Sequence, residues 1–321
     1  MIRRLGLVSI SLLTMFALAA PAGAASFHYP DFASTAGLQL NGDAKQEGNL
    51  LRLTPALSNE AGSVFATTPV DVQKSWQTQF QIAIHDHTCC DVRPADGIAF
   101  VLQGAGLSGG SGLGGSLGYG GVKPSVAVEF DVFENPGEPA GDHVAIMAEG
   151  DPSKHLACAN EGGPSGGCAA ALPLAIYGAP VHAWVEYDVV SQHLKVFLAS
   201  TGDKPAAPLL DHQISLAPLG ASPYAGFTAA TGSHNAVQDV LSWRFGQAEP
   251  TATLPIAPPI TSPETKKAAK KPCPPFRGKG KKGKGAKASA GKAKKKGKAK
   301  GKKCGHKKKG HKKPGKGKGR G

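Results

Sequence analysis

Apolar and polar residues alternate in short runs along most of this chain, and no stretch after the first twenty residues repeats with a helical period. The runs 38–40, 51–54, 76–84, 97–102, 126–133, 143–147, 182–189, 194–198, 224–229 and 240–245 alternate in polarity or are rich in β-branched and aromatic residues. Clusters of Gly, Pro, Asn and Asp separate them. That pattern predicts strands joined by tight turns. About 220 residues of this kind are enough for one large all-β sandwich with a sizeable core.

The flanks follow other rules. Arg3 and Arg4 precede an apolar segment at 5–20, and Ala22-Gly23-Ala24 follows Pro21. This is the order of a cleaved secretory signal, expected at 1–24. No other stretch is long and apolar enough to span a bilayer, so no transmembrane segment is expected after cleavage. The sandwich is expected at 25–247, and a Pro-rich extended linker at 248–265. From 266 to 321 the chain is Lys, Gly, Ala and His with almost no apolar residues, which predicts a disordered tail.

Charge divides at the same place. Of 37 Lys and Arg residues, 26 lie from Lys266 onward, where no Asp or Glu occurs; the other 11 face all 23 acidic residues. The net +14 therefore combines an acidic body with a strongly cationic tail. A nucleic-acid-binding body is excluded as a reading of that charge, whereas the tail suits anionic polymers or surfaces through counterion release. Four cysteines lie in the body (Cys89, Cys90, Cys158, Cys168) and two in the tail (Cys273, Cys304). An exported chain is expected to oxidise them. Four body cysteines allow three connectivities. Neighbouring cysteines bridge each other only through a strained ring, so Cys89 and Cys90 are each expected to pair with one of Cys158 and Cys168.

The densest chemistry sits between 126 and 143. Glu129 and Asp131 are two apart on a strand and share a face, and two bare carboxylates so close repel. A cation between them resolves this. Asp131, Asn135 and Glu138 with a backbone carbonyl offer the oxygen set that Ca²⁺ prefers. Glu129, Asp131, Glu138 and His143 offer a mixed set suited to Mn²⁺ or another transition metal. The same residues admit a rival: Glu129-x-Asp131-x-x-Glu134 is the spacing of a retaining β-glucanase, with Glu129 as nucleophile and Glu134 as acid/base after a bulge.

The surrounding segments bear on that choice. In order they are 38–44 (LQLNGDA), 51–54 (LRLT), 75–80 (SWQTQF), 95–100 (ADGIAF), 114–118 (GGSLG), 126–131 (VAVEFD), 226–232 (GFTAATG) and 239–245 (DVLSWRF). Together they make the chain similar to the legume (L-type) lectin family, a β-sandwich of the jelly-roll kind. The resemblance implies a non-catalytic, Ca²⁺-dependent carbohydrate-binding protein. It implies that Asp96 follows a cis peptide and accepts hydrogen bonds from two sugar hydroxyls, while Gly115 donates its backbone N–H. Asn135 would bind both calcium and sugar, and Phe133 would give its carbonyl to calcium and stack on the sugar. The metal set becomes Glu129, Asp131, Phe133, Asn135, Glu138 and His143. Ser233 and His234, on the loop 233–238, fall where sugar specificity is set.

The sequence departs from the family in three places. Glu138-Pro139 replaces the family's Asp-Pro, with the five-residue step to His143 kept. Val132 and Phe133 replace a Thr/Tyr pair. The stretch 149–169 carries two Cys and a Gly-rich loop that match none of the family's motifs. His85, His87, His182, His193 and His212 show no paired spacing and are expected at the surface. The Gly-rich run 104–121 precedes no helix, so it is a loop and not a phosphate-binding motif. The expected protein is secreted, extracellular or associated with a cell surface, and binds glycans through its body and polyanions through its tail. Self-association into a homo-oligomer stays open, as does a surface-attachment protein without sugar binding.

Overall fold

The computed structural model describes residues 25–88, 93–110, 112–164 and 167–247. Their strands are β1 (Ser26–Tyr29), β2 (Leu38–Gly42), β3 (Lys45–Glu47), β4 (Leu50–Thr54), β5 (Ala61–Ala66), β6 (Trp76–His85), β7 (Gly97–Gln103) and β8 (Ser125–Asp131). They continue as β9 (His143–Ala148), β10 (Ala157–Asn160), β11 (Ala170–Ala171), β12 (Val181–Asp188), β13 (His193–Ala199), β14 (Leu210–Gln213), β15 (Tyr224–Ala230) and β16 (Val237–Gln247). Among the described residues the only helical pieces are 3-10 turns at Gly114–Ser116 and Ala217–Leu219. The ten runs expected from the sequence coincide with β2, β4, β6, β7, β8, β9, β12, β13, β15 and β16.

Two sheets form. One runs β14-β13-β12-β6-β16-β4-β3, with β1 also paired to β16; the other runs β11-β10-β9-β8-β7-β15-β5-β2. Neighbours pair antiparallel except β10 and β11, which are parallel. Alternation decides what each face meets. Val126, Val128 and Phe130 of β8 point into the main core with Ile98, Phe100 and Leu102 of β7. Rings fill its centre: Phe227 lies edge-on to Phe80 at 5.0 Å and to Trp243 at 4.9 Å. The one polar atom on the Trp243 ring is satisfied, because Nε1 donates to Thr78 Oγ1 at 2.9 Å, so the indole is buried without loss of a hydrogen bond.

The second sheet is also covered on its other face. Ala127, Ala99, Val101, Ala145 and Met147 pack there against Leu117 and Tyr119. Those two side chains come from the Gly-rich run 104–121 and anchor it to the sheet. The run expected as a loop is therefore also a cover over this face. Thr228 Oγ1 donates to the Leu117 carbonyl at 2.7 Å and pins it further. Glu129 shares this outer face, since its neighbours across the sheet are Ala99 and Ala145.

The expected disulfide pairing is corrected. Cys158 and Cys168 are bonded to each other, with Cα atoms 4.6 Å apart. The parallel register of β11 on β10 returns the chain beside its own start, and Ala169 N–H donates to the Cys158 carbonyl at 3.2 Å. Spacing alone does not reveal that return. Cys89 and Cys90, the signal segment, the linker and the tail lie outside the described residues. No helix among those described is long and apolar enough to cross a membrane.

The core should be sensitive at its aromatic centre. Phe227→Ala is expected to cost about 3–5 kcal/mol, the range for truncating a fully buried ring. A lowered urea midpoint at unchanged slope checks it, and a loss below about 1 kcal/mol would contradict the packing described.

Candidate functional site

Register gathers the chemistry at one end of the second sheet. Asp131 closes β8 opposite Gly97 on β7 and opposite His143 on β9. His143 pairs in turn with Asn160, the last residue of β10, and Gly97 pairs with Ala230, the last of β15. Five neighbouring strands thus begin or end in one row. The loops leaving that row carry Asp96, the segment from Phe133 to Asp142, and Thr231 to Ala236.

The carboxylates there are crowded and bare. Glu129 and Asp131 are each 1% exposed, and neither they nor Asp96 nor Glu138 has an ion-pair partner among the described residues. One ligand atom from each of Asp131, Glu138 and His143 lies within 4.8 Å of the others. Glu129, His143 and His155 form a second such group. Asp131 Oδ1 accepts the Phe133 N–H at 2.7 Å, while its Oδ2 is buried without a partner. His143 Nδ1 lies 3.5 Å from the Gly141 carbonyl, and its Nε2 is likewise buried and unpartnered. Glu138 Oε2 accepts the Asn135 N–H at 2.7 Å, closing the loop on itself. Buried oxygen and imidazole lone pairs with no donor are costly, and a divalent cation satisfies them together. The donor set fits such an ion.

Burial sets the protonation of these groups. It pushes Glu129 up to about 8, against the hydrogen bond from Tyr119 and aided by the nearby Glu138 charge. Tyr119 Oη donates to Glu129 Oε1 at 2.5 Å. Desolvation raises Asp131 well above the usual range, with Glu129 and Glu138 adding repulsion. Asp96 rises to about 7 for the same first reason, although the Gly232 N–H opposes the shift. Desolvation holds His143 down at about 4, with His155 contributing.

Beside the carboxylates is a glycine-lined cradle. The Ala95–Asp96 peptide is cis, as the resemblance implied. Asp96 is 3% exposed and its Oδ2 has no partner. A Cβ on Gly97 would strike the Phe130 carbonyl and come within 2.8 Å of the Asp131 Cα, so glycine alone permits this approach of β7 to β8. A Cβ on Gly115 would strike the Asn135 amide, which brings the Gly-rich cover directly against the acidic loop. Gly114 N–H donates to the Thr231 carbonyl at 3.0 Å and ties the cover to the third loop. The Phe133 and His234 rings lie tilted against each other with centroids 5.0 Å apart, and the Arg93 guanidinium lies 5.3 Å over the Phe133 ring. Ser233 is exposed, its Oγ 3.3 Å from His234 Nδ1. The residues that the lectin resemblance implies lie on the strand ends and loops at this end of the sheet.

The rival arrangement does not form. β8 stops at Asp131, and the exposed Glu134 turns away to accept the Gly141 N–H at 3.4 Å. Glu129 is sealed under Tyr119, so the two acids do not flank a common space. Sequence reasoning missed four contributors. Tyr119 and Arg93 carry no spacing signal, and Asn160 closes a strand too short to read. His155 sits inside the unmatched stretch. The surface histidines are partnered: His85 lies 3.2 Å from Asp239 and His193 2.6 Å from Asp211.

A two-sheet sandwich carrying a small polar cradle over an oxygen-rich metal-type cluster defines a protein of the lectin class. Comparison with known proteins gives the family: the legume lectin domain profile matches residues 24–258, and the chain belongs to that family. It is 30% identical over 239 residues to a putative L-type lectin-domain containing receptor kinase I.10 of Arabidopsis thaliana, covering 68% of this chain and 38% of the kinase. Receptor kinase V.9 of the same plant is 32% identical over 214 residues, covering 61% and 32%. The chain thus spans 32–38% of these relatives' length. Basic winged bean lectin solved with Tn-antigen superposes with a TM-score of 0.57 at 25% identity, over 71% of this chain and 99% of that one. Griffonia simplicifolia lectin I-B4, in its metal-free form, gives 0.56 at 25% identity, over 70% and 99%.

A pH dependence follows for the protein stripped of metal. Glu129 and Asp96 have folded-state values raised above their ordinary 4.5 and 3.8. Their stabilising contribution is complete below those ordinary values and is lost as pH rises through about 7–8. His143, held low, works oppositely and only in the acid range, between about 6.5 and 4. In EDTA the melting temperature should therefore fall between pH 5 and 8. A flat or rising profile over that interval would contradict the bare-carboxylate description.

Proposed function

We propose that this chain is a secreted, Ca²⁺-dependent, non-catalytic lectin whose body binds glycan and whose cationic tail holds it to anionic surfaces. The observation that carries the reading is the close approach of Gly115 to Asn135 beside Asp96, whose Oδ2 is buried without a partner. The Gly114–Gly115 backbone lies beside the Asp96 carboxylate, since a Cβ on Gly114 would come within 3.9 Å of its oxygens. Asp131, Asn135, Glu138 and the Phe133 carbonyl would hold calcium, which neutralises the acids and fixes the loop. Asp96 then accepts from two sugar hydroxyls and Gly115 donates its N–H. The Phe133–His234 pair offers a ring face to the apolar side of the pyranose. Groups already held in place lose little entropy on binding, which suits a small polar ligand. Mn²⁺ or another transition ion would occupy the histidine side of the cluster.

Secretion rests on the signal-like segment at 1–24, and surface attachment rests on the 26 tail cations. The tail lacks interleaved aromatic residues, so it favours no particular base sequence. Anionic wall polymers, acidic polysaccharides and lipid headgroups share the chemistry it would meet.

Calcium should raise the melting temperature of EDTA-treated protein. At a free concentration of 100 times Kd the gain is about 2.7 kcal/mol. A melting curve indifferent to calcium would remove the metal from the mechanism. On a glycan array, Asp96→Ala should lose at least about tenfold in sugar affinity, because hydroxyls that give up water find no acceptor. Its binding to a polyanion should be unchanged. Deleting residues 266–321 should do the reverse, and only polyanion binding should fall steeply with added NaCl. Sugar binding that disappears with the tail would overturn this division. Incubation with β-glucans should release no reducing ends above the protein-free control.

A further inference from the structure

The histidine side of the cluster holds one residue that the sequence pattern did not point to. His155 lies just before β10 (Ala157–Asn160), in a stretch outside the family motifs that the sequence displays. Its ring stands edge-on to that of His143, with centroids 5.3 Å apart. The Nε2 atoms of both rings are buried and have no hydrogen-bond partner. His143 itself is 0% exposed. Glu129 joins them: one of its oxygens and one nitrogen from each ring fall within 4.8 Å of one another. Bonds of about 2.1 Å to a common ion place ligand atoms at most about 4.2 Å apart. Ligand atoms held within 4.8 Å of one another are near enough for the half-buried His155 ring to reach that span by a small rotation.

We infer that His155 is a direct ligand of the transition ion, together with Glu129 and His143, and that this second imidazole selects a Zn²⁺-class cation over Mn²⁺. The inference rests on the metal-site reading above and deepens it. Two orphaned imidazole nitrogens beside a carboxylate with no cationic partner form a neutral–neutral–anionic donor set. Mn²⁺ is weakest in the Irving–Williams order and is suited by oxygen donors, whereas each added imidazole favours Zn²⁺, Co²⁺ or Ni²⁺. Tyr119 supports the arrangement: by holding Oε1 of Glu129 it orients the carboxylate, as partners of metal ligands commonly do. Calcium, on the Asp131–Asn135–Glu138 side, makes no use of His155.

The test uses the full chain, stripped with EDTA, dialysed, and resupplied with Ca²⁺ followed by Zn²⁺, Co²⁺ or Mn²⁺. Equilibrium dialysis with elemental analysis gives the affinities, and the visible spectrum of the Co²⁺ form reports its ligands. The wild type should bind Zn²⁺ at least about 100-fold more tightly than Mn²⁺. His155→Ala and the volume-conserving His155→Gln should each weaken Zn²⁺ binding by about 10–100-fold and alter the Co²⁺ spectrum. Both should keep the calcium-induced rise in melting temperature, which also certifies their fold. Unchanged Zn²⁺ affinity and Co²⁺ spectrum in folded variants would overturn the role of His155 while leaving the calcium site intact. A stripped wild type that takes up neither Ca²⁺ nor any transition ion would overturn the metal reading beneath it.

Discussion

Repulsion among buried carboxylates is the constraint around which this end of the molecule is built. Asp131 and Glu138 bring ligand atoms within 4.8 Å, where two unit charges at an effective dielectric of about 20 repel by about 3 kcal/mol. Glu129 and Asp96 add their own fields to the same small volume. A protein can respond by protonating the acids or by supplying positive charge. Among the described residues no basic side chain pairs with any of the four. The raised proton affinities show the first response, and a divalent ion is the second. Bare, these groups are costly, and a divalent ion would relieve that cost.

The sandwich makes that crowding tolerable by fixing everything around it. β7, β8 and β9 are covered on both faces, which leaves their pairing register no freedom to slip. Because Gly97, Asp131 and His143 are locked opposite one another, three loops must emerge side by side. The Gly-rich cover then reaches the acidic loop only because Gly115 has no side chain to strike Asn135. Asp96, Gly115, the Phe133–Asn135 pair and the Ser233–His234 pair thus come from four loops, while their placement comes from one sheet.

How far the sequence revealed this depends on what kind of information each feature needs. β6, β7 and β8 are long runs with strong apolar content, so their period is readable locally. β3 is exposed and polar throughout, and β11 has two residues; both exist through their neighbours and leave no local trace. The row of Asp131, His143 and Gly97 was legible through the motifs that carry them, since strand-end residues keep fixed spacing along the chain. The Cys158–Cys168 bond and the approach of His155 to His143 were not. Both arise from how the unmatched stretch folds back, a long-range event that residue spacing does not encode. Tyr119 was hidden for a related reason: one aromatic in a glycine-rich loop reveals its role only once the loop is laid against Glu129.

The pair Glu129 and Asp131 is common to two chemistries, and the deciding variable is where the third acid goes. A retaining hydrolase needs two carboxyls flanking an open space about 5–5.5 Å wide, one of them free to attack. Here the strand ends at Asp131, so Glu134 is carried out to solvent and Glu138 is brought back in. Glu129 is meanwhile closed under a tyrosine and cannot approach a substrate carbon. Buried beside two imidazoles and another carboxylate, Glu129 belongs to a donor set that fits a small cation. The fold thus keeps Glu129 from a sugar by the same burial that sets it among these groups.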